Sequence, residues 1–387
     1  MEAEAVLFGI QSAQQAAVFP IIIESDSKEV VDLSLKKKIS KTEIEWNIAE
    51  IQANLENQNV SSLSYVPRSC NSIAHSIAKI TLVSLGQAEA ALNAHYYDQT
   101  CPQAEKIILD AVRNASMHDP KVPARILRMF FHDCFIRGCD ASVLLDSTPQ
   151  NKAEKDGPPN ISVRSFYVID DAKAELEKAC PHTVSCADII AIAARDVVTM
   201  SGGPYWNVLK GRKDGRVSKA SETRSLPAPT FNVTQLIQSF AQRGLGVQDL
   251  VALSGGHTLG FSHCSSFEAR LRNFSSLLDI DPSMDLDFAE KLRSKCPKPN
   301  KDRNAGQFLD STSSAFDNNY YKQLTVGKGV FGSDQSLFGD FRTKWIVESF
   351  AIDQGLFFKE FVNSMVKLGN VSIIENGEVR LKCGVVN

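Results

Sequence analysis

Arg128 and His132 stand four residues apart in a run with helical periodicity, so their side chains share one face. A neutral imidazole beside a fixed cation suits proton transfer: one group shuttles the proton while the other stabilises negative charge growing on a nearby oxygen. For this spacing alone an ordinary surface pair is the commoner outcome. The following loop sets it apart, because Asp133, Asp140 and Ser142, with main-chain carbonyls between them, put hard oxygen ligands on one tight turn, a candidate calcium site. Cys134 and Cys139 flank that turn and would restrain it covalently.

A second cluster runs from Leu250 to Gly260 (LVALSGGHTLG), an apolar helical turn leading into two glycines, His257 and Thr258. Adjacent glycines permit close approach of a planar group or another helix. A histidine presented there is a candidate axial haem ligand, although a satisfied core histidine is the commoner role for such a segment by itself.

The elements that must position these residues are mostly helical. Helical period marks Ala104–Ser116, Val122–Phe135, Val168–Lys178, Ala187–Ser201, Val233–Arg243, Gln248–Leu253, Phe288–Lys295 and Phe358–Leu368, with Pro- and Gly-rich punctuation between them. The first 85 residues read differently. Helices are expected at Glu2–Ala17, Glu29–Lys37, Glu43–Leu55 and Asn71–Val83, alternating with strands at Pro20–Glu24 and Val60–Val66. A small-residue junction at 86–91 separates the two patterns, giving segments 1–85 and 92–387.

Bulk properties agree with a folded chain. Of 387 residues, 43% are hydrophobic and 22% charged, which disfavours disorder, and apolar runs such as Ala17–Ile23 are too short to span a bilayer. The net charge of −3 sits before Gly86, leaving 35 Lys/Arg against 35 Asp/Glu afterwards, so the main segment offers no electrostatic case for nucleic acid or an anionic membrane. Eight of the nine cysteines follow residue 100, and they lack paired zinc spacing. An even set of this kind points to four disulfides and an oxidising compartment. Sequons at Asn114, Asn160, Asn232, Asn273 and Asn370 fit a secretory route. The chain nevertheless starts Met-Glu-Ala-Glu-Ala, without the basic and apolar regions of a secretory signal.

The order of motifs across residues 92–387 resembles the plant secretory, or class III, haem peroxidases. The residues that carry the resemblance are HYYDQTCP (95–102), Arg128 to Ser142, AEKDGPPN (153–160), VSCAD (184–188), GRKD (211–214), LPAP (226–229), SGGHT (254–258), FDN (316–318) and SDQ (333–335). The resemblance implies an all-α fold in which two helical subdomains, with about ten or more helices, enclose one haem b. It makes His257 the axial ligand, with Asp334 bonded to its other nitrogen, and puts His132 and Arg128 on the distal side. Asn160 would orient His132, and Glu154 would support Asn160. The implied reaction is that of a donor:hydrogen-peroxide oxidoreductase. His132 moves a proton from the inner to the outer peroxide oxygen, Arg128 stabilises the charge as the O–O bond breaks, and phenols meeting the site near Pro227 supply single electrons.

The resemblance also implies disulfides Cys101–Cys180, Cys134–Cys139, Cys186–Cys383 and Cys264–Cys296. It implies two calcium ions, one at Asp133, Ile136, Gly138, Asp140 and Ser142, the other at Thr258, Asp310, Thr312 or Ser313, Ala315 and Asp317. The stretch Asp310 to Asp317 is one residue shorter than the commonest family spacing, and Thr312 is taken as its middle ligand. Ser266 stands where some members carry an aromatic residue, so the donor pocket is expected to differ, and a buried Asn160 would not carry a glycan. Hydrogen peroxide and small phenols are the implied partners, the protein is expected to be a monomer without nucleic-acid or membrane partners, and the implied setting is the cell wall, in phenylpropanoid metabolism and the response to oxidative stress.

The first 85 residues resemble the latter half of an RNase H-like domain of plant retroelements, on EAEAVLFG (2–9), ESDS (24–27) and PRSCNSIAH (67–75). In that family Glu2, Asp26 and a residue near His75 would lie by the metal site. The first three strands of such a domain are absent, so the remaining pair would leave half its apolar surface without a partner. A vestigial or misjoined segment without nuclease activity is the expectation. Ala88–Leu92 looks like the end of a secretory signal, whose earlier part a foreign segment has replaced.

Overall fold

The computed structural model describes residues 22–25, 62–65, 92–299, 302 and 304–387. The chain divides into two units, Met1–Ala91 and Leu92–Asn387. In the first, β1 (Ile22–Ser25) and β2 (Ser62–Tyr65) pair in parallel from Ile22↔Ser62 to Ser25↔Tyr65, inside or overlapping the two runs expected as strands. The four helices expected in this segment, and Glu2, Asp26 and His75, lie outside the described residues.

The second unit is all-α, with a single short antiparallel pair of strands, β3 (Phe261–His263) and β4 (Gly306–Phe308), among the described residues. Its first lobe comprises α1 (Ala104–His118), α2 (Val122–Ile136), α3 (Phe166–Ala179) and α4 (Cys186–Met200). On α1 the buried residues Ala104, Ile108, Val112 and Ala115 recur every three or four positions, the stripe of a helix with one covered face. Helix α4 is different: Cys186 to Val198 is buried without interruption, so it runs through the centre with α1, α2 and α3 packed round it. Ser185 opens α4 by accepting a hydrogen bond from the Asp188 amide at 3.2 Å.

The second lobe holds α5 (Val233–Ala241), α6 (Val247–Ser254), α7 (Leu286–Lys295), α8 (Asn319–Thr325), α9 (Gly332–Gly339), α10 (Phe341–Ile352) and α11 (Gln354–Leu368). Asn232 and Gln235 close a reciprocal capping box at the start of α5, and Asp285, Asp340 and Asp353 cap α7, α10 and α11. Phe316, Tyr321, Phe350, Phe357 and Phe361 form an aromatic cluster at this lobe's centre, with Phe316 and Phe361 ring centres 4.7 Å apart. No helix of the described residues is long and apolar enough to cross a membrane.

Buried polar knots explain several motifs that carry no chemistry themselves. Asp188 of VSCAD accepts from the Tyr97 hydroxyl at 2.6 Å, the Gly211 amide at 2.7 Å and the Arg212 guanidinium at 2.8 Å. Asp214 of GRKD accepts from the amides of Cys186, Ala187 and Arg380. Each carboxylate thus ties three chain segments together in the dry interior, where an unpaired charge would be costly.

Four disulfides join Cys101 to Cys180, Cys134 to Cys139, Cys186 to Cys383 and Cys264 to Cys296. They span sequence separations from 5 to 197 residues, and the longest binds the C-terminal segment to the start of α4. Because a crosslink restrains the unfolded chain more when its loop is longer, Cys186→Ala with Cys383→Ala is expected to cost roughly 4–5 kcal/mol. Removing the Cys134–Cys139 pair is expected to cost roughly 2 kcal/mol. Denaturant unfolding of the two double variants measures the order; equal losses would contradict the loop-length account.

Candidate active site

Helix α2 presents Arg128 and His132 one turn apart, as their spacing requires. His132 is buried, and its Nδ1 lies 2.5 Å from Asn160 Oδ1. With that oxygen accepting, Nδ1 carries the proton and Nε2 keeps the lone pair. Burial, then the neighbouring Arg128 charge, hold the imidazole pKa well below the ordinary histidine value; the Asn160 bond opposes them and His257 adds a smaller lowering. The ring is therefore neutral and basic at Nε2. Arg128 is exposed yet crowded by protein, and that crowding, with Arg164 beside it, lowers its guanidinium to about 10.

One loop fixes both residues. Asn160 holds His132, while Arg128 donates from Nη2 to the Pro159 carbonyl at 2.8 Å and from Nη1 to Ser162 Oγ at 3.0 Å. Pro159 and Ser162 were not anticipated from sequence, because they lie 31 and 34 residues beyond Arg128, where no local spacing links them to it. Glu154 departs from expectation: its Oε2 accepts from Ser142 Oγ at 3.2 Å rather than meeting Asn160. Glu154 Oε1 and Asn160 Nδ2 are both buried without a partner. Burial, followed by the charges of Asp133 and Asp140, raises the Glu154 carboxyl to about 9.

His257 lies in a 3-10 turn, Gly255–Thr258, directly after α6. Its Nδ1 is 2.9 Å from Oδ1 of the buried Asp334 on α9. A carboxylate only accepts, so Nδ1 donates and Nε2 is left with its lone pair, the form a metal ion takes. The His257 side chain is 41% exposed although Thr258 and Leu259 beside it are buried, so the ring borders open space rather than core. Helix α2 packs against this turn, with Leu127 Cδ2 3.5 Å from where a Cβ on Gly256 would stand. Gly255 has no such freedom: a Cβ there would strike Phe357 at 2.5 Å and the Tyr321 hydroxyl. The donor set suits a porphyrin iron, with one imidazole nitrogen free to coordinate and a second, neutral imidazole on a neighbouring wall.

Sequence reasoning also missed Tyr320, whose hydroxyl donates to the same Asp334 oxygen at 3.0 Å. The signal was present in FDN (316–318), which leads into the tyrosine pair of α8.

The oxygen clusters lie beside these two walls. Asp133 accepts from the Ala141 and Val143 amides, and Asp140 from the Ser142 amide, so both carboxylates curl round one turn. Burial, then the Asp140 charge, push Asp133 well above the usual carboxylate range. Gly138 carries a φ of +108° there and its carbonyl accepts from the Asp140 amide; a Cβ would meet the Ser372 carbonyl at 2.5 Å. Ile136 ends α2 immediately before this turn.

In the second cluster Thr258 Oγ1 lies 2.8 Å from Asp310, 3.2 Å from Asp317 and 3.5 Å from the Ala315 carbonyl. Thr312 Oγ1 sits 3.2 Å from Asp310 and 3.1 Å from Asp317. Burial raises Asp310 to about 6. Among the described residues no three His, Cys, Asp or Glu side chains gather as a metal site. Each cluster brings two carboxylates and otherwise rests on hydroxyl and main-chain oxygens, a donor set for a hard cation.

Pro227 is half-buried in the loop before α5, and the Pro229 carbonyl accepts from the Ser333 amide at 2.9 Å, tying this loop to the helix of Asp334. Ser266 ends a short 3-10 turn after Cys264.

Comparison with known proteins gives two family matches. Residues 108–353 match the family described as Peroxidase, and residues 1–81 match that described as Reverse transcriptase-like. Peroxidase 66 of Arabidopsis thaliana is 73% identical over 301 residues, covering 78% of this chain and 94% of the relative. Peroxidase 64 of the same plant is 58% identical over 293 residues, 76% of this chain and 92% of the relative. Peroxidase 1 of Oryza sativa subsp. japonica is 44% identical over 307 residues, 78% and 94%.

Arg128 is the second cause of the low His132 pKa, so Arg128→Leu is expected to move that pKa upward toward about 6.5. Ring-proton NMR of the haem-free protein across pH reads the change; a pKa that stays put or falls would contradict the pairing.

Proposed function

This chain belongs to the peroxidase family, and on that premise we propose that it reduces hydrogen peroxide at a haem b ligated by His257 while oxidising small phenols one electron at a time. The observation that carries the reading is the pair of fixed imidazoles, His132 on Asn160 and His257 on Asp334, near enough for the charge of one to depress the other.

The haem, when bound, supplies the iron that accepts oxidising equivalents from peroxide and passes them to donors. The residues supply the rest. His132 takes the proton of one peroxide oxygen at Nε2 and delivers it to the other, and its low pKa keeps it ready to accept at neutral pH. Arg128, one helical turn away, stabilises the negative charge on the departing oxygen. Asn160 fixes the His132 tautomer, and its complete burial also argues against a glycan at that sequon. Asp334 draws on the His257 Nδ1 proton and so raises the basicity of Nε2. Phenols approach near Pro227, and Ser266, standing where some family members carry an aromatic residue, alters the donor pocket. Two electrons from two donors, with two protons, turn one peroxide into two waters.

Two calcium ions complete the reading, one held by Asp133, Asp140, Ser142 and the carbonyls of Ile136 and Gly138, the other by Thr258, Asp310, Thr312, Ala315 and Asp317. The raised carboxyls in each set support it, since a cation would offset their burial first and their mutual repulsion second. The protein acts as a secreted monomer in the plant cell wall, without nucleic acid, on phenylpropanoid donors and under oxidative stress. The segment 1–85, which resembles an RNase H-like domain, takes no part in this reaction.

The full chain, produced with haem under oxidising conditions, is expected to show a Soret band and to turn over a phenol with peroxide. His132→Ala keeps that band but slows the reaction with peroxide by about 10²–10⁴-fold, whereas His257→Ala loses normal ligation. Comparable haem loss in both variants contradicts the assigned roles. Chelation with EGTA is expected to lower the thermal midpoint, and added calcium to restore it; an unchanged midpoint contradicts the two calcium sites.

A further inference from the structure

Asp334 serves two donors, not one. The Tyr320 hydroxyl on α8 donates to Asp334 Oδ1 at 3.0 Å, and the same oxygen accepts from His257 Nδ1 at 2.9 Å. Tyr320 is 2% exposed and Asp334 3%, so water does not compete for the bond between them. The tyrosine ring stands edge-on to the imidazole, centres 6.1 Å apart at 77°. Its neighbour Tyr321 clamps α8 to α6 by donating to the carbonyls of Val251 and Ala252, just before the turn of His257. The Tyr320 hydroxyl is therefore held in register with the imidazole by the backbone of both helices.

Two donors on one oxygen share its negative charge. The more Tyr320 takes, the less Asp334 draws on the Nδ1 proton, and the less electron density Nε2 can offer a metal. Resting on the proposed His257–Asp334 pair, we propose that Tyr320 is a positioning residue that moderates Asp334 and thereby sets how strongly His257 donates to the haem iron. Removing the hydroxyl leaves the carboxylate to His257 alone; the imidazole gains anionic character and favours the ferric state.

The test uses the full-length, haem-loaded protein and two readouts that do not depend on turnover: the iron–histidine stretching band of the ferrous form and the ferric/ferrous midpoint potential. Tyr320→Phe is expected to raise the stretching frequency and lower the potential. Replacing Tyr320 by 3-fluorotyrosine, a stronger donor of almost the same volume, is expected to shift both the opposite way, and it decides the matter if the Phe variant fails to load haem. Asp334→Asn tests the underlying pair separately, since loss of the carboxylate should lower the stretching frequency. No shift in Asp334→Asn overturns the His257–Asp334 reading itself. A shift there, with none in either Tyr320 variant or with both moving the same way, overturns the role of Tyr320 alone.

Discussion

A histidine has two ring nitrogens, and what it can do with one is decided by what holds the other. In this protein both decisions are made by buried acceptors from distant parts of the chain: Asn160, 28 residues after His132, and Asp334, 77 residues after His257. Each acceptor keeps the proton on Nδ1 and frees Nε2. The acceptors differ in kind, and so do the consequences. A neutral amide fixes the tautomer with little added charge, and burial beside Arg128 keeps His132 an uncharged base. A buried carboxylate instead pulls on the imidazole N–H and makes His257 a stronger electron donor.

Both arrangements need loops and helices from far apart in sequence to stay in hydrogen-bonding register. The central helix α4 supplies the reference, because it is buried along nearly its whole length and the Cys186–Cys383 disulfide anchors the C-terminal segment to its first residue. Asp188, two residues further on, binds Tyr97 and Arg212, and Asp214 binds the Arg380 amide of the C-terminal segment. The distal loop is held by Arg128 as well as by its own turns, so the cation that would act on peroxide also helps to seat the residue orienting its partner.

Local chemistry was legible in the sequence and distant chemistry was not. The i,i+4 spacing of Arg128 and His132 needs only a helix, and the amphipathic or strongly apolar helices α1 to α7 and α11 were each signalled by periodicity. Helices α8, α9 and α10 were missed. Two are short, α9 begins Gly-Ser-Asp, and α10 carries apolar residues on its exposed side, Phe341, Trp345 and Ile352, as well as on its buried one, which blurs any period. The Nδ1 partners of both histidines came from resemblance, since nothing in local spacing links residue 132 to 160 or 257 to 334. The same holds for the disulfides, because eight cysteines allow 105 pairings. Resemblance was also where reasoning slipped, with Glu154 expected on Asn160 and found on Ser142, and Tyr320 passed over although it completes the proximal set.

The central claim is that each Nδ1 is protonated and bound, so that both Nε2 nitrogens are free. Nitrogen-15 NMR of histidines in the haem-free protein at neutral pH tests it most directly, with Asn160→Leu and Asp334→Leu assigning the signals. The account predicts that His132 and His257 both show a protonated Nδ1 and an unprotonated Nε2, each losing that pattern only when its own acceptor is removed. A proton on Nε2 of either ring in the unaltered protein would contradict it.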